Sequence, residues 1–284
     1  MIELRLLAGG ELRADGGAIF GPVPKPLWEA KLPADARNRV PLACNVLLVR
    51  SGGKTLLVDA GYGDKAPAKL REQHGMEAGH PLLRSLAAAG VAPAEVDLLA
   101  FTHLHFDHAG GATTDAGGGS VPLFPRAKFL VQSREWADAT GGAPELANAY
   151  FRKDLEPLAA SGRLELLDGP AEVLPGVWLR PAPGHTPGFQ LLELPAGPGL
   201  TFLGDLAPTP HHLQTFWTMG YDLDLLTLRR EKQLRLGAIA DAGGWAVFGH
   251  ERIAPVARLR RDGRGFATVA ESLPLPERWP PPAT

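Results

Sequence analysis

The chain has 284 residues, 45% of them hydrophobic and 21% charged, which suits one large domain and excludes disorder. Lys and Arg total 29 against 31 Asp and Glu, a net charge of -2, so nothing supplies the strongly basic face of a nucleic-acid binder. The single cysteine, Cys44, excludes an intrachain disulfide and any zinc site built from several thiolates.

The opening MIELRLLAGGELRADGG lacks a basic region followed by a long apolar one, and no run approaches the ~20 apolar residues of a membrane span. A soluble, cytoplasmic protein with no membrane partner is expected. Apolar runs of strand type are predicted at Ile2–Leu7, Asn45–Val49, Lys54–Asp59, Val96–Phe101, Ala127–Val131, Arg163–Leu167, Gly176–Pro181, Phe189–Leu194, Leu200–Gly204 and Trp245–Gly249. Several, such as VLLV, are apolar without alternation, as in strands covered on both faces. Helical spacing predicts helices at Pro81–Ala89, Ser133–Ala139, Glu145–Ala160 and Leu223–Ala240. Strands and helices interleave throughout, which fits an α/β chain of two sheets with helices outside, a four-layer αββα sandwich.

The Pro-rich segment 16–41 has few periodic apolar positions. A loop this long is either a lid or binding loop, with Phe20 and Trp28 lining a pocket, or a strap that buries its own aromatics. The end of the chain, 273–284, reads as an extended and mobile tail. Cys44, just before a strand, reads as a small buried hydrophobe.

Nine histidines carry the chemistry. In Phe101-Thr102-His103-Leu104-His105-Phe106-Asp107-His108-Ala109-Gly110-Gly111, His103 and His105 stand two apart at a strand end. On an extended backbone their side chains point the same way from Cα atoms roughly 6.5 Å apart, so two imidazoles can converge on one ion. Asp107 and His108 follow where strand turns into helix. Three imidazoles and one carboxylate within six residues form a dense ligand set for Zn²⁺ or a similar ion.

H-x-H-x-D-H at the end of a strand resembles the signature of the metallo-β-lactamase fold superfamily. The rest of that pattern can be followed in order. Gly184-His185-Thr186-Pro187-Gly188 resembles the second ligand motif, Leu203-Gly204-Asp205 the third, and Phe248-Gly249-His250 the last. The resemblance implies two divalent ions, zinc or else Mn, Fe or Co. It places His103, His105 and His185 on one, Asp107, His108 and His250 on the other, and Asp205 between them. A metal-bridging hydroxide would be the nucleophile, with Asp107 and Asp205 as the catalytic carboxylates. Asp59, at the end of Leu56-Leu57-Val58-Asp59, resembles a supporting residue behind the metal loop, or is a turn-former before Gly61.

The sequence also resembles the branch of N-acyl-homoserine lactonases and methyl parathion hydrolase-like enzymes, which implies hydrolysis of a lactone, ester or phosphotriester. Phe189 stands where quorum-quenching lactonases carry a histidine, and Pro208 where they carry a tyrosine three residues beyond the bridging Asp. Asp205 speaks against a β-lactamase, and the 34 residues after His250 against the helical domain of glyoxalase II. An oxidoreductase or a non-hydrolytic cofactor-assembly protein on this fold is the competing class, although His105 departs from the carboxylate of the redox members. Phe189, His211, His212 and Tyr221 join Phe20 and Trp28 as pocket candidates for a small-molecule substrate. His74 and His80 read as solvated loop residues. An exposed apolar lid segment would favour a homodimer.

Overall fold

The computed structural model describes residues 1–263, 265–269 and 273–281. Its first half holds β1 (Ile2–Asp15), β2 (Arg39–Ser51), β3 (Lys54–Val58), β4 (Leu98–Ala100), a small hairpin of β5 (Thr113–Asp115) and β6 (Ser120–Pro122), β7 (Lys128–Gln132) and β8 (Leu164–Leu167). The second half holds β9 (Ala171–Leu174), β10 (Val177–Pro181), β11 (Gln190–Leu194), β12 (Leu200–Phe202), β13 (Trp245–Val247), β14 (Val256–Asp262), β15 (Gly265–Thr268) and β16 (Arg278–Trp279). Eight helices intervene among the described residues: α1 (Gly16–Phe20), α2 (Lys25–Glu29), α3 (Ala68–His74), α4 (Pro81–Ala88), α5 (Phe106–Ala109), α6 (Ser133–Thr140), α7 (Arg152–Ala160) and α8 (Leu225–Asp241). None is long and apolar enough to cross a membrane.

Two seven-stranded sheets result, ordered β16-β1-β2-β3-β4-β7-β8 and β15-β14-β13-β12-β11-β10-β9. Period-2 alternation divides the central strands between two interiors. Leu47 and Val49 of β2 face the second sheet, packing with Leu179, Leu192 and Phe202, while Val46 and Leu48 face the helix side with Leu82, Leu86 and Leu158. Helix α8 covers the second sheet through Leu228, Leu236 and Ile239. The expected αββα order is therefore present, helix over sheet, sheet over sheet, sheet over helix.

Three expectations need correction. The helix expected over 145–160 starts only at Arg152, because Pro144–Leu146 forms a separate tight turn ahead of it. The tail is not free over its described part: Trp279 is fully buried, and β16 pairs with β1 through Ile2–Trp279 and Glu3–Arg278, closing that edge of the sheet. Residues 282–284 of that expectation lie outside the described ones. His80 is buried rather than solvated, and its Nδ1 accepts the Leu83 N–H at 3.3 Å as the N-cap of α4.

The ends of both sheets meet at one edge, where the histidine-bearing turns lie. Glu135, at the start of α6, is fully buried and ties them together. Its Oε1 accepts the Leu104 N–H and the Tyr150 hydroxyl at 3.0 Å each, and its Oε2 accepts the Thr186 hydroxyl at 2.6 Å. A Cβ on Gly188 would fall 2.2 Å from the Glu135 nitrogen, so only glycine lets the second turn approach this closely. Lys65 closes the other end of the first turn, donating to the carbonyls of Gly110 at 2.7 Å and Thr113 at 2.6 Å beside Asp154. Under the loop before α8, the fully buried Lys232 donates to the carbonyls of Gln214 at 3.0 Å and Trp217 at 2.7 Å.

Glu135→Ala leaves three donors buried without an acceptor and should cost about 3 kcal/mol or more in urea unfolding; a loss under about 1 kcal/mol would show that the tie is dispensable. Burial holds the Lys232 ammonium down to about 7. Between that value and the ordinary lysine range the unfolded chain binds the extra proton, so this residue adds stability as pH rises. Unfolding free energies of the parent and Lys232→Met, measured from pH 7 to 9.5, should diverge in favour of the parent by about 2 kcal/mol. Parallel pH profiles would contradict it.

Candidate metal centre

The two sheets and their turns bring His103, His105, Asp107, His108, His185, Asp205 and His250 into one cluster. His103 Nε2 lies 3.0 Å from His105 Nδ1, which lies 3.1 Å from His185 Nε2. On the other side His108 Nε2 lies 3.1 Å from His250 Nε2. Asp205 stands between the groups. Its Oδ2 is 3.2 Å from His185 Nε2, and its Oδ1 is 3.0 Å from His250 Nε2 and 3.5 Å from His108 Nε2. Asp107 Oδ2 approaches the second group at 3.8 Å from His250 Nε2 and 4.0 Å from His108 Nε2.

Groups behind the cluster fix which nitrogen of four of its five rings carries the proton. His108 Nδ1 meets Asp59 Oδ2 at 2.9 Å, and His185 Nδ1 meets Asp222 Oδ1 at 2.8 Å. His250 Nδ1 meets the Ala43 carbonyl at 2.6 Å. His103 Nδ1 meets Thr102 Oγ1 at 3.1 Å, and that hydroxyl donates to Asp59 at 2.8 Å. Carboxylates and carbonyls only accept, so each of these Nδ1 atoms bears the hydrogen and each ring, when neutral, turns its Nε2 lone pair inward. Lone pairs facing one another at about 3 Å repel unless a proton or a metal ion sits between them. Asp205 Oδ1, buried and without a hydrogen-bond partner, aims into the same space. The donor set thus fits metal ions, and His103 with His105 and His185, or His103 with His108 and Asp205, could each hold one.

The electrostatics divide the rings: His108, His185 and His250, the three nearest Asp205, are drawn towards the charged form, and His103 and His105 away from it. Burial, then the neighbouring His108, holds His103 well below the usual histidine range. Burial, then His185, does the same for His105. Burial opposes charge at His250 too, yet Asp205 outweighs it and raises that imidazole well above its usual value. Asp205 is held well below the carboxylate range, since His250, His108 and His185 together outweigh its burial.

Asp59 both turns the chain and supports the cluster. Its φ of 62° is left-handed, and its Oδ1 accepts the Thr102 N–H at 2.7 Å. Asn45 joins the sheets beside the last turn, donating to the carbonyls of Phe248 and Glu251 at 2.8 Å each. Cys44 is buried as expected, its thiol pushed up to about 11 by burial, although it lies among donor atoms of Asp107 and His250.

A cleft of about 610 Å³ opens over the cluster, reached by His105, Asp107, His185, Asp205 and His250. Its walls are largely apolar, with Leu12, Ile19, Leu42, Phe106, Leu146 and Met219 among them. Of the six pocket candidates only Tyr221 lines it. Phe20 and Trp28 are buried in the segment's own core, stacked at 5.2 Å, so the segment behaves as a strap rather than an open lid. His212 stacks on Phe20 at 5.1 Å, donates from Nε2 to the Ile19 carbonyl at 2.9 Å and accepts the Thr209 hydroxyl on Nδ1 at 2.9 Å. Burial holds it down to about 3, a neutral clamp on the strap. His211 stands beside it, 6.3 Å from the Phe20 ring, outside the cleft lining. Phe189 lies beneath the imidazoles, 5.6 Å from His103 and 6.1 Å from His185. His74, expected in solvent, instead lines the cleft 5.9 Å from Phe106. Phe106 sits inside the first motif, between His105 and Asp107, and that position was the available sequence signal for it.

Known proteins share this architecture. An N-acyl homoserine lactonase from a Bacillus species is 31% identical over 111 residues, 39% of this chain and 38% of that protein. The one from Bacillus cereus is 28% identical over 163 residues, 54% of this chain and 58% of that protein. The chain thus spans between 38% and 58% of the length of these curated relatives. The solved structure of a probable metal-dependent hydrolase from Staphylococcus aureus superposes with a TM-score of 0.86 at 28% identity, covering 96% of this chain and 98% of that one. AidC, a dizinc quorum-quenching lactonase solved with a product, has the same fold, with a TM-score of 0.76 at 22% identity over 96% of each chain. Residues 39–250 match the family model of the metallo-beta-lactamase superfamily, a span that contains the whole donor cluster from His103 to His250, and the chain belongs to that superfamily.

Proposed function

We propose that this chain is a hydrolase of ester-like bonds that uses two divalent ions, zinc first among them, with a small lactone as the favoured substrate class. The observation that carries the reading is Asp205, whose two oxygens face two different imidazole groups. His103, His105 and His185 would hold one ion with Asp205 Oδ2, and Asp107, His108 and His250 the other with Asp205 Oδ1. Nitrogen and carboxylate donors suit zinc, and the fold neighbour AidC is described as dizinc. When bound, such a pair polarises a carbonyl or phosphoryl oxygen and makes a water nucleophilic at neutral pH.

The chain's own groups supply the rest. Asp107 is more open to the cleft than Asp205, and its carboxylate can take a proton from an attacking water and pass it to the leaving oxygen. Tyr221 lines the same cleft. Burial, then the negative Asp107 and Asp15, raises its phenol above the usual range, so it stays an O–H donor for an ester oxygen. The apolar walls exclude water and accept the substrate's hydrocarbon part. The N-acyl homoserine lactonases among the relatives favour a lactone over an aryl ester or phosphotriester.

Elemental analysis of the purified chain should find two divalent ions. Asp205→Asn should lower that content and cut kcat/KM on lactones by about 10³-fold or more; full metal content with full turnover would sink the assignment. Tyr221→Phe should retain both ions and lose about tenfold in kcat/KM, the scale of one neutral hydrogen bond. An unchanged rate would remove Tyr221 from the reaction.

A further inference from the structure

The cleft over the donor cluster adjoins a second cavity of about 450 Å³, and Gln73, His74 and Tyr221 line both. The two spaces differ in character. Where the cleft is walled by aliphatic and aromatic side chains, the second cavity carries the cations Arg13, Arg37, Arg39 and Lys69 against the carboxylates Asp15 and Glu72.

The charges there are unequally engaged. Asp15 already accepts the Ala18 N–H on Oδ1 and the Asn38 amide on Oδ2, at 2.9 Å each, as the N-cap of α1. Arg39 is held by Asp35 at 2.9 Å and donates to the carbonyls of Glu72 at 3.2 Å and Gln73 at 2.7 Å. Arg13 shares the same Asp35 at 3.8 Å. The exposed side chains of Arg37 and Lys69 make no hydrogen bond or ion pair among the described residues. Arg37 and Lys69 are two uncommitted cations against the one uncommitted carboxylate of Glu72, so this concave wall keeps a positive potential. At the junction, His74 Nδ1 lies 3.0 Å from the Arg13 carbonyl, which only accepts. The proton is therefore on Nδ1, and Nε2 is left for a ligand.

The geometry points to a substrate with a charged far end: an ester-like bond at the donor cluster, joined past His74 and Tyr221 to a carboxylate or phosphate held by Arg37 and Lys69. This rests on the hydrolase reading and adds to it the charge and placement of the group remote from the scissile bond. The reaction stays a plain hydrolysis in which water is added across the ester, giving an acid and an alcohol. The remote anion only binds.

The test uses the full chain loaded with zinc and a series of esters that share one reacting group. Their linkers vary in length and end in methyl, carboxylate, phosphate or trimethylammonium. At a linker length that reaches the second cavity, an anionic end should raise kcat/KM about tenfold over methyl, the scale of two exposed ion pairs, and trimethylammonium should lower it. The anion-to-methyl ratio should fall towards one in about 1 M salt, where the Debye length is ~3 Å. It should also fall towards one in Arg37→Ala/Lys69→Ala, with circular dichroism checking the fold, and rise in Glu72→Gln. The stronger of the carboxylate and phosphate arms identifies the group. Equal rates for anionic and cationic ends at every length would overturn the inference, as would a preference that survives the double variant. If no ester in the series is cleaved, the hydrolase reading fails separately. Calorimetric binding of the carboxylate- and methyl-ended compounds then decides: tighter carboxylate binding that the double variant loses supports the site, and equal binding refutes it.

Discussion

Everything at this site depends on a repulsion. Four imidazole Nε2 atoms are turned towards one small volume, each because its Nδ1 is committed to an acceptor behind it. Left alone, such an arrangement would push its own rings apart. The backs of the rings are held by Asp59, Asp222, Thr102 and a backbone carbonyl, and the scaffold behind those is rigid. Asp59 is locked by the Thr102 N–H, and Asp222 also accepts the Met219 N–H at 2.6 Å. The structure thus holds a donor set suited to cations, and Asp205 presents an anionic oxygen to the imidazoles on each side of it.

That arrangement needs the ends of both sheets to come together closely, and the packing shows how this is reached. Glu135 pins the first and second histidine turns to one buried carboxylate, and Asn45 pins the last turn to the opposite sheet. The inter-sheet core of Leu47, Val49, Leu192 and Phe202 sets the spacing beneath them. Glu135 is itself costly to bury, since desolvation raises its pKa against the pull of Thr186, Leu104 and Tyr150. Three donors offset that cost, and the carboxylate orders residues more than 80 positions apart in the chain.

Much of the fold and the donor cluster was legible because their signals are local. The strands announce themselves as short apolar runs, and His103, His105, Asp107 and His108 fall within six residues at a strand end, where the period of two and the following turn dictate convergence. Their supports were not legible. Asp222 lies in a stretch with no periodic or motif character, the helical spacing around Glu135 gives no sign that its carboxylate is buried, and the Ala43 carbonyl carries no side-chain signal at all. His80 was misplaced because histidine is not among the usual cap residues, even with Pro81 following it. The Pro-rich composition around Trp279 hid a two-residue strand, although a tryptophan in such a segment is a reason to expect burial. The pocket candidates failed for a related reason. Proximity in sequence to Asp205 placed His211 and His212 near the cluster, whereas the strap claimed His212 for its own core.

The bond from His212 to Ile19 has a consequence for how this protein can change. Ile19 forms part of the cleft wall, and His212 ends the loop that leaves Asp205, so substrate wall and charged hub share one mechanical linkage. A substitution that reshapes the strap to admit a larger ligand will tug on the loop that positions Asp205. Altered selectivity and altered ion affinity should therefore arise together in variants of the strap, and a lineage seeking a new substrate would have to repair the hub before it could keep the gain.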